Sequence, residues 1–209
     1  MLNPLNFRDS RALSLFDARN RLVFSYVYQF PHMDIHGFAD KLLNGWQSSG
    51  IVTFQNGFPV PIESSSDLEL MYSSFFYYPG EPNQVAPLQR LNPRGPGNLA
   101  FNTAAFQQLT PDQYGTIGDS PRSVCCGPGI NNVDFSLMKD TVVKERYKLE
   151  FRAEFFNIAN HAQFTKVDGN ISDSAVDANG NVLPGTGTFG KVLQVRDPRL
   201  VQFALKLIF

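Results

Sequence analysis

The final ten residues restrict the fold of this chain more than any other feature. Alternate positions there are apolar: Val201, Phe203, Leu205, Leu207 and Phe209. Most positions between them hold small or polar residues, such as Gln202, Ala204 and Lys206. A period of two places each set on its own face of a β-strand, and a strand of a membrane barrel has one lipid-facing and one water-facing side. Because free termini usually fray into water, a terminal aromatic residue strengthens the prediction of a transmembrane β-strand.

The composition agrees with a membrane barrel and argues against other classes. Of 209 residues, 19 are Phe and only 18% are charged, below the roughly 25% of soluble domains. The net charge of -1 gives no basic footprint for nucleic acid. The sequence has no apolar run of about 18 residues, which excludes a transmembrane helix, whereas a spanning β-strand needs only about 9–11 residues of alternation.

Five segments carry the alternating pattern and are predicted to form long antiparallel strands. They are residues 21–30, 46–56, 133–141, 147–156 and 200–209. The clearest is 147–156, where aromatic and aliphatic residues alternate with four charged ones: Lys148, Glu150, Arg152 and Glu154. In a barrel this charged row is predicted to face the lumen, where it can pair with neighbouring strands or with a plug. On a soluble sheet the same row would be the solvated face.

The connections differ in length in the way that outer-membrane barrels require. The turn at 141–147 is short and the connection 32–45 is intermediate, whereas 59–131 and 158–198 are long. Short turns on the periplasmic side and long loops outside are typical of such barrels. With Phe209 at the periplasm, both long loops are predicted to be extracellular. Segment 59–131 holds ten of the 14 prolines and no lysine, which predicts irregular loop structure.

Five stretches of the chain resemble, in order and spacing, the C-terminal end of the TonB-dependent outer-membrane receptors. They are FDARNRLVFSYVYQFP (16–31), GWQSSGIVTFQNGFPV (45–60), GPGINNVDFSLMKD (127–140), YKLEFRAEFFNIANHAQF (147–164) and VRDPRLVQFALKLIF (195–209). The resemblance is to the Oar-like type, which has a carboxypeptidase-regulatory-like front domain. It implies a β-barrel portion of a transporter, with Phe203, Leu205, Leu207 and Phe209 as the signal read by the barrel-assembly machinery.

The sequence also predicts that this barrel is incomplete. Plugged transporters have about 22 strands and the smallest barrels about 8, so five strands leave two open edges. No signal peptide precedes the first strand, and we expect Met1 not to be the natural start. The expected partners are outer-membrane lipid, the barrel-assembly machinery, and the missing N-terminal barrel and plug of the same receptor. The TonB complex would be contacted only through that missing part.

Few residues point to chemistry, and no enzyme or cofactor is predicted. His32 and His36 flank Asp34 with a spacing that binds metal on a helix, but a solvated turn is favoured. His161 has no nucleophile partner in view. The Asp177–Asn181 stretch fails as a calcium loop because Thr186 stands where a bidentate Glu is required, and a tight hairpin turn is predicted there. The adjacent Cys125 and Cys126 are interpreted as incidental loop thiols.

A different class remains open at this point. A secreted β-sandwich that binds carbohydrate or another surface ligand would also show alternating strands, and the aromatic residues Tyr72, Phe75, Phe76, Tyr77 and Tyr78 could stack on sugars. The two hypotheses differ in the environment of the apolar face. A sandwich buries that face between its sheets, whereas a barrel exposes it to lipid or detergent.

Overall fold

A computed structural model describes residues 11–65, 80–113, 115–124, 127–144 and 146–209. Cys125 and Cys126 and the aromatic residues of 72–78 lie outside the described residues. The chain divides into two compact units. The sheet unit comprises Asn20–Gln55, Ile130–Gln163 and Arg196–Phe209, and the loop unit comprises Met1–Arg19, Asn56–Gly129 and Phe164–Val195.

Strands are the main regular structure of the described chain. In order they are β1 (Arg21–Gln29), β2 (Trp46–Gln55), β3 (Val60–Pro61), β4 (Asn83–Gln84), β5 (Phe106–Gln107), β6 (Ser123–Val124), β7 (Ile130–Lys144), β8 (Tyr147–Phe156), β9 (Phe164–Val167), β10 (Ser174–Val176), β11 (Val182–Gly187), β12 (Val192–Val195) and β13 (Leu200–Ile208). One helix, α1 (Phe38–Leu43), precedes β2, and short 3-10 turns occupy Pro96–Asn98, Thr103–Ala105, Pro111–Gln113 and Ile171–Asp173. None of the helices in the described ranges is both long and apolar enough to cross a membrane.

The sheet unit is a single antiparallel sheet with strand order β1-β2-β7-β8-β13. These are the five segments that the alternating pattern predicts, and the all-β, antiparallel fold class is confirmed. The sheet does not close on itself within the described residues, since β1 and β13 are its edge strands. The largest difference in bounds is at β7, which is 15 residues long because it pairs with β2 from Ile130 onward and with β8 as far as Lys144.

The connection between β1 and β2 is ordered, although the sequence pattern gives no sign of α1. Asn44 is buried, and its side chain accepts a hydrogen bond from the Met33 N–H and donates one to the Met33 carbonyl, both at 2.8 Å. The same amide donates to Asp40 at 2.7 Å. Gly45 has φ +81° and its Cα lies so near β7 that a Cβ there would be 2.2 Å from the Asp140 carbonyl oxygen. These contacts hold α1 at the end of β2.

The loop unit contains almost all of the buried apolar core. Its core residues are Val60, Ile62, Ala100, Phe101, Ala105, Phe106, Val124, Val167, Ile171 and Phe189. Phe101, Phe106 and Phe189 meet edge to face, with ring centroids 5.4–5.8 Å apart. Because Phe106 and Phe189 belong to different long connections, the two connections share one hydrophobic core.

Backbone hydrogen bonds join these two long connections at several points. The Glu63 N–H donates to the Gly169 carbonyl at 3.0 Å, and the Ile171 N–H donates to the Glu63 carbonyl at 2.9 Å. A Cβ at Gly169 would lie 1.7 Å from the Pro61 carbonyl oxygen, so only glycine allows this approach. The prediction of irregular loop structure for 59–131 is therefore wrong in part. Turns do dominate its described parts (59–65, 80–113, 115–124 and 127–129), but together with 164–195 these parts form a packed unit containing short strands.

The predicted hairpin turn at Asn179-Gly180 is present between β10 and β11. Val176 pairs with Val182, and Gly180 has φ +80°. The Asp177 carboxylate accepts hydrogen bonds from the Asn181 side chain and from the N–H groups of Asn179 and Asn181, at 2.8–2.9 Å. These bonds, chiefly the one from the Asn181 side chain, lower the pKa of Asp177. The carboxylate thus closes the turn itself.

Candidate lipid-facing and lumen-facing surfaces

The strand register places most of the large apolar residues of the sheet unit on one side, although Val23, Val27, Ile51 and Phe156 lie on the other. Paired residues of an antiparallel sheet share a face, so the register defines that side directly. We call it the apolar face: Leu22, Phe24, Tyr26, Tyr28, Trp46, Val52, Phe54, Val133, Phe135, Leu137, Leu149, Phe151, Ala153, Phe155, Val201, Phe203, Leu205 and Leu207. Phe24 is 59% exposed, Phe203 66% and Leu205 68%. An apolar surface of this extent in water would be strongly unfavourable, which points to lipid as its environment.

Aromatic side chains on the apolar face contact one another across three strands. Phe135 on β7 lies 6.0 Å from Phe155 on β8, measured between ring centroids, and Phe155 lies 6.4 Å from Phe203 on β13. Phe151 stacks on Phe203 at 6.3 Å. Cross-strand aromatic pairs of this kind each stabilise a sheet by roughly 0.2–1 kcal/mol. They leave the outer sides of the rings available to acyl chains.

The opposite side, here called the polar face, carries the charged row predicted from the sequence. Lys148, Glu150, Arg152 and Glu154 all lie on it, together with Asp140 of β7 and Lys206 of β13. The Lys148 ammonium lies 2.7 Å from the Asp140 carboxylate, and Arg152 lies 2.9 Å from Glu150 and 3.8 Å from Glu154. Charges of both signs alternate, as expected for a surface that faces water. That the face lines a barrel lumen stays a prediction.

A depression of about 430 Å³ lies on the same polar face, between β1 and β8. Its lining includes the hydroxyl-bearing Ser25, Ser49 and Ser136 and the carboxylates Asp134 and Glu154. A concave surface with several hydrogen-bonding groups and two carboxylates can hold water or a polar solute. The apolar side chains of Val27, Ile51 and Phe156 also line it, so its surface is of mixed character.

The residues following β8 build a hydrogen-bonded turn that the sequence analysis missed, here called the polar corner: Asn131, Asp134, Asn157, Asn160, His161 and Gln163. The buried Asn157 accepts from the His161 N–H at 3.0 Å and donates to the His161 carbonyl at 3.1 Å. Asp134 accepts from the Asn157 N–H at 2.9 Å. Gln163 binds both backbone groups of Asn131, accepting from its N–H at 2.9 Å and donating to its carbonyl.

The polar corner also fixes the chain that leads into β13. Asn160 accepts a hydrogen bond from the Arg199 N–H at 3.1 Å, and the Gln163 carbonyl accepts one from the Arg196 N–H at 2.8 Å. Asn157 and Asn160 both have φ +50°, a conformation that Asn adopts more readily than most residues. The corner thus lies where β8 ends and where β7 and β13 begin. In the sequence, the cluster of Asn, His and Gln directly after the clearly alternating strand β8 was the signal that could have indicated this corner.

We expect Asn157→Ala to destabilise the sheet unit by about 1–3 kcal/mol, because it leaves buried backbone groups of the corner unpaired. Asn157→Asp keeps the acceptor for the His161 N–H and should lose less. The free energy of unfolding in urea, measured on protein refolded into vesicles, checks this. Gln202→Ala on the polar face is the matched control and should change the free energy little. Equal losses for Asn157→Ala and Gln202→Ala would contradict the role given to the corner.

The other candidate residues do not converge on a site. His32, Asp34 and His36 are exposed and lie before α1 in chain without regular structure, so their spacing does not place them on one helical face. His161 belongs to the polar corner through its backbone and through a 3.1 Å contact between its Nδ1 and Gln163. Within the described ranges, no three His, Cys, Asp or Glu side chains are grouped so as to hold a metal ion.

Comparison with known proteins identifies a family for the chain. A family model described as an outer membrane beta barrel domain matches residues 1–202. The chain belongs to this family. No curated protein and no solved structure matches the chain.

Membership in the outer-membrane barrel family decides between the two sequence-based hypotheses. The protein is located in the outer membrane. The apolar face of its sheet is exposed, whereas a β-sandwich would bury that face against a second sheet. The secreted β-sandwich is therefore wrong as the fold class, and contact of the apolar face with lipid stays a prediction.

Proposed function

We propose that the chain is the C-terminal barrel portion of a TonB-dependent receptor of the Oar-like type, which takes up a substrate not identified by this sequence. The observation that carries the proposal is the polar corner. The two most specific blocks of the resemblance, FRAEFFNIANHAQF and VRDPR, supply the bonds Asn157–His161, Asn160–Arg199 and Gln163–Arg196. The residues that resemble family motifs thus act together in the structure, because they form the hydrogen bonds of the polar corner.

The edge strands support the idea of a larger barrel. In the five-stranded sheet, β1 and β13 each present one side without a strand partner in the described residues. Unpaired backbone groups in lipid cost several kcal/mol each, so further strands of the same receptor would pair with both edges. A plug within the completed lumen would meet the polar face. The alternating charges of Lys148, Glu150, Arg152 and Glu154 suit such a contact.

The terminal strand supports the proposed route of assembly. Phe203, Leu205 and Leu207 form an uninterrupted apolar side of β13, and Phe209 is 90% exposed at its end. A side chain in that position is accessible to the barrel-assembly machinery, which would read Phe209 together with this apolar row. The proposal assigns no enzymatic step to the chain. Coupling to the TonB complex would occur through the part of the receptor outside this sequence.

The proposal predicts a plug and a TonB-contacting segment in the reading frame upstream of Met1. Sequencing that frame is the first measurement, and site-specific crosslinking of purified TonB C-terminal domain to the full-length protein is the second. We expect a crosslink that forms only when the upstream segment is present. Glu150→Gln, a control substitution on the polar face, should leave the yield of this crosslink unchanged. A stop codon close upstream of Met1, or an unchanged crosslink after deletion of the segment, would overturn the transporter proposal and leave an outer-membrane barrel protein of another function.

A further inference from the structure

The depression on the polar face has its floor in one row of paired strand positions. Val27 of β1 pairs with Ser49 of β2, and Ser49 pairs with Ser136 of β7. Ser136 in turn pairs with Glu154 of β8. Because the two middle residues are serines, the row is low at its centre and higher at its sides, where Val27 and Glu154 stand. We call this depression of about 430 Å³ the serine groove, after Ser49 and Ser136 on its floor.

Part of the lining of the serine groove is apolar. Val27, Ile51 and Phe156 contribute to it, although they lie on the polar face of the sheet. All three side chains are exposed. Single exposed apolar residues are common on protein surfaces, but several that line one concave depression provide a surface for the apolar part of a ligand.

Two carboxylates face the same groove, and their protein partners use only part of their capacity as acceptors. Among the described residues that line the groove, Asp134 and Glu154 are the charged ones, and both are anionic. In the described chain the side chain of Asp134 accepts hydrogen bonds from the Asn132 amide and the Asn157 N–H, each at 2.9 Å and both through Oδ1. This arrangement leaves Oδ2 for a ligand. Glu154 has an ion-pair contact with Arg152 that is long, at 3.8 Å.

These features together define the chemistry of a matching ligand. Carboxylates with spare acceptor atoms favour a cation whose N–H groups donate charge-assisted hydrogen bonds, and they repel an anion. The apolar lining favours a hydrocarbon body, and the face of the Phe156 ring also attracts a cation. A volume of about 430 Å³ lies within the range of pockets that bind small molecules. A small sugar would match the serine hydroxyls but would leave the apolar lining without a partner.

We propose that the serine groove is a binding site for a small amphipathic amine, with its ammonium group at Asp134 and Glu154 and its hydrocarbon body on the apolar lining. Charge complementarity selects the ammonium group, and the mixed lining selects a ligand that is apolar elsewhere. The inference requires the polar face to be open to water, as the assignment to an outer-membrane barrel predicts. It does not require coupling to TonB and so goes beyond the proposed function.

Titration of phenethylammonium into the full-length protein in neutral detergent, followed by calorimetry, tests the site. The heat of the same titration into protein-free micelles is subtracted. Phenylacetate carries the same ring with the opposite charge, and ethylammonium carries the cation without the ring. We expect saturable binding of phenethylammonium at one site and much weaker binding of the other two. Absence of saturable binding, as when another part of the receptor fills the groove, or equal binding of phenylacetate would overturn the inference.

Variants locate the binding in the groove. Glu154→Gln should raise the Kd for phenethylammonium about tenfold, because it replaces a charge-assisted hydrogen bond by a neutral one. Asp140→Asn, which removes a carboxylate of the same face outside the groove, should leave the Kd unchanged. Ser136→Leu fills the floor and should abolish binding, and Ser49→Leu does the same from β2 where Ser136→Leu fails to assemble.

Heat-modifiable mobility of each variant separates the inference from the barrel assignment. Unchanged binding by a heat-modifiable Ser136→Leu or Ser49→Leu variant, or equal weakening by Glu154→Gln and Asp140→Asn, would overturn the amine site and keep the barrel. Absence of heat-modifiable mobility in the unaltered protein would overturn both.

Discussion

Leu205→Arg should prevent most of the protein from assembling in the outer membrane, whereas Gln202→Arg in the same strand should be tolerated. Leu205 lies at the middle of β13, pairs with Phe151 and is 68% exposed on the apolar face. An Arg at the bilayer midplane costs about 2–4 kcal/mol, which corresponds to a roughly 30- to 700-fold lower ratio of folded to unfolded protein. Gln202 pairs with Glu154 on the polar face, so an Arg there gains an oppositely charged neighbour.

The measurement is the amount of heat-modifiable barrel in outer-membrane fractions, with total protein determined in parallel. Leu207→Arg provides a graded test because Leu207 is nearer the strand end and pairs with Leu149. Its cost should be smaller than that of Leu205→Arg, since the penalty falls toward the membrane boundary. Equal losses for Leu205→Arg and Gln202→Arg would show that the lipid-facing assignment of β13 is wrong. Phe151→Arg against Glu150→Arg repeats the comparison on β8.

The five long strands could be predicted because their signal is local. Each strand has one mainly apolar face and one more polar face, so the residue types alternate along the chain itself, as in Tyr147–Phe156. The register follows nearly as directly. A shift of one residue would place Lys148 and Arg152 opposite Leu207 and Phe203 and so bring two cations onto the apolar face.

The polar corner escaped prediction because its bonds join residues distant in sequence. Asp134 and Asn157 are 23 positions apart, and Asn131 and Gln163 are 32 apart. Asn and Gln in a loop ordinarily indicate a solvated turn, and only the sheet brings these pairs together. The motif FNIANHAQF could be identified from the sequence as specific to a family. Its role in a hydrogen-bonded corner could be recognised only once the positions of the strand ends were known.

The shared core of the two long connections was hidden for a related reason. Phe101, Phe106 and Phe189 follow neither a helical nor a strand period, and the prolines around them favour irregular chain. A long loop without its own secondary structure is usually a functional or a disordered segment. Here short strands and glycines in close contact, such as Gly169, let two such segments pack against each other.

The second large effect is expected in that core. Phe106→Ala should destabilise the loop unit by about 3–5 kcal/mol, because the ring is 1% exposed and its removal leaves a cavity between Phe101 and Phe189. Phe58→Ala is the matched control, since Phe58 lies in the same unit but is 44% exposed. Limited proteolysis of the protein in vesicles, with cleavage sites assigned by mass spectrometry, measures opening of the loop unit. Strands β7, β8 and β13 should stay protected in both variants.

A double-mutant cycle with Phe189→Ala decides whether the two long connections stabilise each other. Phe106 and Phe189 come from different connections, and their ring centroids are 5.8 Å apart. Residues in direct contact show interaction energies of about 0.5–3 kcal/mol, whereas distant residues have additive effects. The double variant should therefore be less destabilised than the sum of the single variants, since the second truncation removes a ring whose partner is already gone. Strict additivity would mean that each connection folds on its own and that the common core does not form.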